Sequence, residues 1–181
     1  MKNKLFVFIL IAVVTGSVFA DNKISENVAR AFRAAGIQVF NEGAAINDFT
    51  LRRLDGRNFT LSQQRGKVVF LNFWATWCPP CHQEMPSMEA LYQRLKNRGL
   101  EMAAVNLGES RNDVYSYMTR NNLSFPALID TRQVTVSMYG IRSIPTTYII
   151  DRRGLVIARF IGSTDWNSSQ VVSAFETLLA E

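Results

Sequence analysis

A nearly unbroken apolar run, "GKVVFLNFW", ends at Trp74, and the only two cysteines of the chain follow at Cys78 and Cys81. Val68, Val69, Phe70, Leu71, Phe73 and Trp74 leave Asn72 as the one polar interruption. A strand apolar on both faces belongs inside a sheet covered on both sides, as in parallel α/β folds. Cys78 therefore leaves a buried strand and enters a helix, at the carboxyl edge of the sheet where open α/β folds place their sites. The local motif "CPPCH" has two readings: C-x-x-C is a redox dithiol, and C-x-x-C-H is also the clip for a c-type haem.

The rest of the chain supports an α/β architecture. "SENVARAFRAAG" predicts a short helix with Ser25 as N-cap, an apolar face of Val28, Ala31, Phe32 and Ala35, and a stop at Gly36. "DFTLRRLDGRNFTLS" reads as a hairpin around Asp55-Gly56. After the cysteines, "SMEALYQRLKNRGL" repeats Met88, Leu91, Tyr92 and Leu95 at helical spacing. "EMAAVNL" and "FPALID" read as strands, with the helix "RNDVYSYMTRNN" between them. A short helix "RQVTVSMYG", two strands "PTTYIID" and "LVIARFIG", and a closing helix in "DWNSSQVVSAFETLLAE" complete the order. Helices between strands imply parallel crossovers, and the last two strands imply an antiparallel addition at the sheet edge. The prediction is a central mixed β-sheet flanked by helices, with an N-terminal β-hairpin extension. With 48% hydrophobic residues in 181, one core is sufficient. The expected divisions are residues 1–20, a lead-in over 21–45 and the main domain over 46–181.

Residues 1–20 read as a secretory signal peptide. Lys2 and Lys4 precede the apolar stretch "LFVFILIAVV", and Val18 and Ala20 suit a cleavage site. That stretch is shorter than the ~20 residues a membrane span needs. Left uncleaved, the N-terminus would act as an anchor. Every acidic residue lies beyond residue 20, so cleavage lowers the net charge from +5 to +3. The basic residues are scattered, without a cluster or an aromatic ladder, which argues against nucleic acid as a partner.

In an exported protein a cysteine pair usually means a structural disulfide. Two intervening residues leave almost no loop to close, so this pair contributes little as a staple. Reversible oxidation suits it better. A helix start offers free N–H groups and partial positive charge, both of which stabilise a thiolate. Lowering a thiol pKa from ~8.5 to ~7 raises its thiolate fraction at pH 7 from about 3% to about half. Pro79 fits the first helical turn, where a missing N–H costs nothing, and Pro79-Pro80 stiffens the loop. Cys78 is assigned as the attacking thiol and Cys81, one turn inside the helix, as the resolving thiol.

"FLNFWATWCPPCHQEMP", with "IPTTYIIDRRG" some sixty residues later, resembles the TlpA/ResA/DsbE-like family of exported thioredoxin-fold proteins. The resemblance spans about residues 46–180. It implies a thioredoxin-like fold, with Pro145 cis and facing the cysteines and the Ile144 backbone exposed for an extended substrate segment. It also implies a role for Glu84, because "C-x-x-E-x-P" in ResA-like proteins places this acid near the thiols. Thioredoxin itself carries a buried aspartate where this chain has Asn72, so Glu84 is the candidate for proton handling. "AINDF" stands in place of the family's "APDF" and leaves the entry to the hairpin less constrained. Trp77 is a candidate partner contact, alongside Pro79, Pro80, Ile144 and Pro145, while Trp74 is read as structural.

The context argues against haem attachment, since a buried strand, a stiff Pro-Pro turn and "IPT" together complete a thiol-redox site. Cys78, Cys81 and His82 are too tightly spaced for an ordinary tetrahedral zinc site and lack a fourth ligand. His82 is read as a helix residue, able to tune the thiols if it lies close to them. No metal or other cofactor is implied. The leading function is an exported, periplasmic or otherwise extracytoplasmic thiol–disulfide oxidoreductase. By resemblance its client is apocytochrome c or a similar apoprotein, and its electron donor a membrane thiol transporter of the DsbD/CcdA type. The alternatives are a thiol peroxidase or an oxidant that introduces disulfides, and a non-catalytic binding module.

Overall fold

The structure is a computed structural model that describes residues 22–181. The signal peptide expected over residues 1–20 lies outside the described residues. Among the described residues no helix is long and apolar enough to cross a membrane.

Three strands form the parallel centre. β4 (Val68–Trp74) is buried at all seven positions, as its unbroken apolar run requires. It pairs in parallel with β5 (Leu100–Leu107), which pairs in parallel with β6 (Ala127–Asp130). The crossovers are α2 (Pro79–Leu95) and α3 (Arg111–Arg120). Ahead of them lie α1 (Glu26–Ala34), β1 (Gln38–Ala45) and the hairpin of β2 (Thr50–Arg53) and β3 (Asn58–Thr60). The chain finishes with α4 (Val134–Met138), β7 (Thr146–Ile150), β8 (Leu155–Ile161) and α5 (Ser169–Leu179). The sheet has eight strands in the order β1-β8-β7-β4-β5-β6-β2-β3. The mixed sheet, flanking helices and hairpin match the sequence expectation.

Two features differ from it. The β7–β8 pair is antiparallel but does not form an edge: β7 lies beside β4, and β8 is covered by β1. All five β7 residues are buried, which suits an interior strand. The other is β1 itself, which the lead-in reading did not contain. It is largely exposed and shows no alternating apolar pattern. Antiparallel pairing with β8 holds it in place, at an approach so close that a Cβ on Gly43 would lie 2.9 Å from the Leu155 Cβ.

One sheet face is thickly covered. Phe70, Trp74, Met102, Ile149 and Ile157 share a core with buried residues of α1, α2, α3 and α5. Ser25 caps α1 by accepting the Val28 N–H, and Phe32 meets Phe175 edge-on at 5.3 Å between ring centroids. The other face is thinly covered. Phe49, Leu51, Phe59 and Leu61 from the hairpin region and Tyr139 after α4 pack on Leu71, Phe73, Val105 and Tyr148.

The fully buried Phe32 makes the lead-in helix part of the main core. Phe32→Ala is expected to cost about 3–5 kcal/mol in urea unfolding. A loss below about 1 kcal/mol would mean that α1 is a dispensable appendage.

Candidate active site

Cys78 is the N-cap of α2, with Pro79 and Pro80 in the first turn. Cys78 and Cys81 form a disulfide with a Cα–Cα distance of 5.3 Å. With both sulfurs bonded to each other, neither is available in this state for the thioether a haem clip requires. The Cys81 backbone N–H donates to the Cys78 sulfur at 3.3 Å. On reduction the same donor faces a thiolate and stabilises it. The pair is unequally exposed: Cys78 keeps 3% of its surface and Cys81 none. What little access the disulfide has is therefore through Cys78.

Glu84 follows one helical turn after Cys81 and is fully buried. Asn72 Nδ2 on β4 donates to Glu84 Oε1 at 2.9 Å, and Trp166 Nε1 donates to Oε2 at 2.8 Å. A backbone N–H from Thr164 adds a third donor. Asn72 Nδ2 also reaches Thr147 Oγ1 on β7 at 2.9 Å, while its Oδ1 is buried without a partner. Burial pushes the Glu84 carboxyl up to about 7, against the three donors, which favour the charged form. The carboxyl is thus poised near neutrality one helical turn from Cys81.

A second network holds the loop in front of Cys78. The Glu109 carboxylate accepts from Thr76 N at 2.6 Å, from Thr76 Oγ1, and from Asn106 Nδ2 at 2.6 Å. The Thr76 carbonyl in turn lies 2.6 Å from His82 Nε2. A carbonyl can only accept, so Nε2 carries the proton. His82 is exposed and its ring rests on Tyr117 at 5.0 Å. Its Nε2 is thus spent on the loop carbonyl.

The outer surface of the site combines the substrate-contact candidates. Trp77 is 67% exposed and Pro79 and Pro80 are exposed, whereas Trp74 is fully buried against Tyr117. The Ile144–Pro145 peptide is cis, and the Ile144 carbonyl oxygen lies 3.8 Å from Cys78 Sγ. Pro145 is buried and Ile144 half-buried. Trp77, Leu107, Val136, Ile141 and Ile144 line a groove of about 240 Å³. The structure therefore brings Cys78, Trp77 and Ile144 to one surface and places Glu84 behind it.

The AhpC/TSA family profile matches residues 43–159. The chain belongs to the AhpC/TSA family. It is 37% identical over 176 residues to the thiol-disulfide oxidoreductase ResA of Halalkalibacterium halodurans, covering 97% of this chain and 93% of that protein. It is 45% identical over 114 residues to the ResA of Geobacillus thermodenitrificans, covering 63% of this chain and 66% of that one. A crystal structure from Chlorobium tepidum, named as a thiol:disulfide interchange protein DsbE, superposes with a TM-score of 0.70 at 31% identity. That match covers 76% of this chain and 96% of the other. With its ResA homologues, its thioredoxin-like fold and its C-x-x-C disulfide, this AhpC/TSA-family chain is a thiol–disulfide oxidoreductase.

Two functional residues of this AhpC/TSA-family chain escape sequence reading. Trp166 falls within the stretch predicted as closing helix, but α5 starts at Ser169 with Ser168 as its cap, and Trp166 sits in the loop before it, fully buried. A lone tryptophan beside Asp165 and Asn167 was the available signal. Glu109 carries no motif at all.

Glu84 holds in the folded protein a proton that the unfolded chain releases near 4.5. Stability should therefore fall as pH rises from about 4.5 and level off above about 7, a loss on the order of 3 kcal/mol. Urea unfolding of the oxidised protein across that range tests this, and Glu84→Gln should flatten the slope. An unchanged slope in the variant would assign the effect to another group. Trp166→Phe removes a donor to the carboxylate and should move the same transition to higher pH.

Proposed function

We propose that the chain works outside the cytoplasm as a reductant of protein disulfides, with apocytochrome c or a similar cysteine-containing apoprotein as client. The observation that carries this is the disulfide at the start of α2, open only at Cys78 and backed by the sealed Glu84. The similarity to proteins named ResA and DsbE supports the reading, as does the leader-like composition of residues 1–20. Residues 46–181 would be the catalytic unit, with 21–45 packed on it.

In the reduced protein the Cys78 thiolate attacks one sulfur of the client disulfide. A mixed disulfide forms, and the other client sulfur leaves as a thiolate that takes a proton. Cys81 then loses its proton to Glu84 and attacks the Cys78 sulfur. The second client sulfur leaves as a thiolate and takes that proton from Glu84, and the two electrons of the dithiol have moved to the client. The Cys78–Cys81 disulfide that results is the state described here. A membrane thiol transporter of the DsbD/CcdA type would return the electrons. Trp77, Pro79, Pro80, Ile144 and Pro145 form the contact surface, with the Ile144 backbone beside the reacting sulfur.

Cys81→Ser should trap clients on Cys78 as mixed disulfides that dithiothreitol releases. No trapped species, while the wild type still reduces a client, would overturn the division of roles. The reduction potential tests direction: a value near −270 mV fits a reductant, and one near −120 mV an oxidant. Rapid peroxide consumption dependent on Cys78 would instead assign a peroxidase.

A further inference from the structure

We propose that the reactive edge carries a basic recognition groove selecting clients with an acidic residue close to the cysteine under attack; this rests on the oxidoreductase reading above. The loop between α4 and β7 separates two depressions. One is the groove beside Trp77. The other, about 510 Å³, lies on the β7–β8 region and is lined by Arg142, Ser143, Tyr148, Arg159 and Ile161, among others. Arg142 and Ser143 border both, so a segment laid along this loop past Ile144 would follow a path that touches the two in turn. Neither is lined by an aspartate or glutamate.

The two arginines have unspent capacity. Arg142 is exposed and joins no ion pair among the described residues. Arg159 stands opposite Tyr148 across the β7–β8 ladder and donates from Nη2 to Gln38 Oε1 at 3.0 Å. Its Nε–H is buried with no partner. By contrast, Arg53, Arg57, Arg98 and Arg153 are all paired with carboxylates. A buried donor without an acceptor is costly, and a carboxylate offered to a guanidinium makes a charge-assisted, often bidentate pair.

Position ties this charge to the chemistry. Arg142 is two residues before Ile144, so their Cα atoms are at most about 7 Å apart. The Ile144 carbonyl is 3.8 Å from Cys78 Sγ. An extended client advances about 3.3 Å per residue. A side chain one to three residues from its cysteine therefore comes opposite Arg142, and one about four residues away comes level with Arg159, which pairs with Tyr148. Trp77 and Ile161, 67% and 54% exposed, give apolar contacts at the two ends of the path.

The test uses short peptides with one cysteine held as a mixed disulfide with 2-mercaptoethanol, and Asp, Ala or Lys placed two residues away on either side. The reduced protein becomes the Cys78–Cys81 disulfide, and peptide thiol and mercaptoethanol are released. For one of the two flanking positions, the Asp peptide should react at least about fivefold faster than the Lys peptide at low salt. That ratio should shrink at 0.5 M salt, where charges more than a few ångströms apart are screened. Arg142→Glu should bring the ratio to one or below, and Arg159→Gln should lower it. The ratio is taken within each protein, so a general loss of activity does not move it. A ratio near one in the wild type, or a preference that survives both substitutions, overturns the inference. Failure of the wild type to reduce even neutral hydroxyethyl disulfide would instead overturn the oxidoreductase reading.

Discussion

A carboxyl group without access to water must find its partners within the protein, and Glu84 finds them on three segments. It is carried by α2, it accepts from Asn72 on β4, and it accepts from Trp166 and Thr164 in the loop before α5. Those segments surround the start of α2, where Cys78 and Cys81 form their disulfide. Removing any donor leaves a buried oxygen or charge unpaired, which costs more than one hydrogen bond adds. The group therefore specifies the arrangement of the site even though burying it opposes stability above neutral pH. Trp166 completes the enclosure by packing edge-on against Phe70 at 4.7 Å and Phe160 at 5.7 Å.

Glu109 shows how a second carboxylate takes a different part in a different setting. It is half-buried and gathers the Thr76 N–H, the Thr76 hydroxyl and the Asn106 amide. Thr76 sits in the turn that delivers Cys78 and Asn106 near the end of β5, and His82 holds the same turn through the Thr76 carbonyl. One acid lies behind the disulfide, enclosed, with its carboxyl raised toward neutrality. The other lies in front and fixes the loop that presents Trp77. Burial separates the two roles.

Much of this was legible because the signals are local. The apolar run of β4, the helical spacing of Met88, Leu91 and Leu95, and the Asp55-Gly56 turn each state their own element. Cys78 at a helix start follows from a strand meeting Pro-Pro. What was not legible is what depends on approach between distant segments. β1 has no apolar rhythm, since most of its residues face water, and it is fixed by a glycine pressed against Leu155. The place of β7 inside the sheet depends on pairing with both β4 and β8, and β8 escapes being an edge only because β1 covers it. Trp166 meets Glu84 across 82 residues of chain. Asn72 could be seen to replace an acid, but only the fold shows its amide donating to both Glu84 and Thr147.

The uneven covering of the sheet connects these points to recognition. Four helices seal the face that holds Glu84, and the exclusion of water there is what raises its carboxyl. The opposite face has only a five-residue helix and the hairpin region over it. That leaves Tyr148, Arg159 and Ile161 at the margin of the core, where β7 begins after Pro145 and β8 ends. A thicker layer there would bury Arg159 without relief for its Nε–H and would close the path beside Ile144. The same shortness of α4 that leaves the sheet thinly covered keeps a surface open next to the reacting sulfur. The buried Glu84 and the thinly covered groove beside Ile144 thus lie on opposite sides of one sheet, with Cys78 a short turn beyond the end of β4.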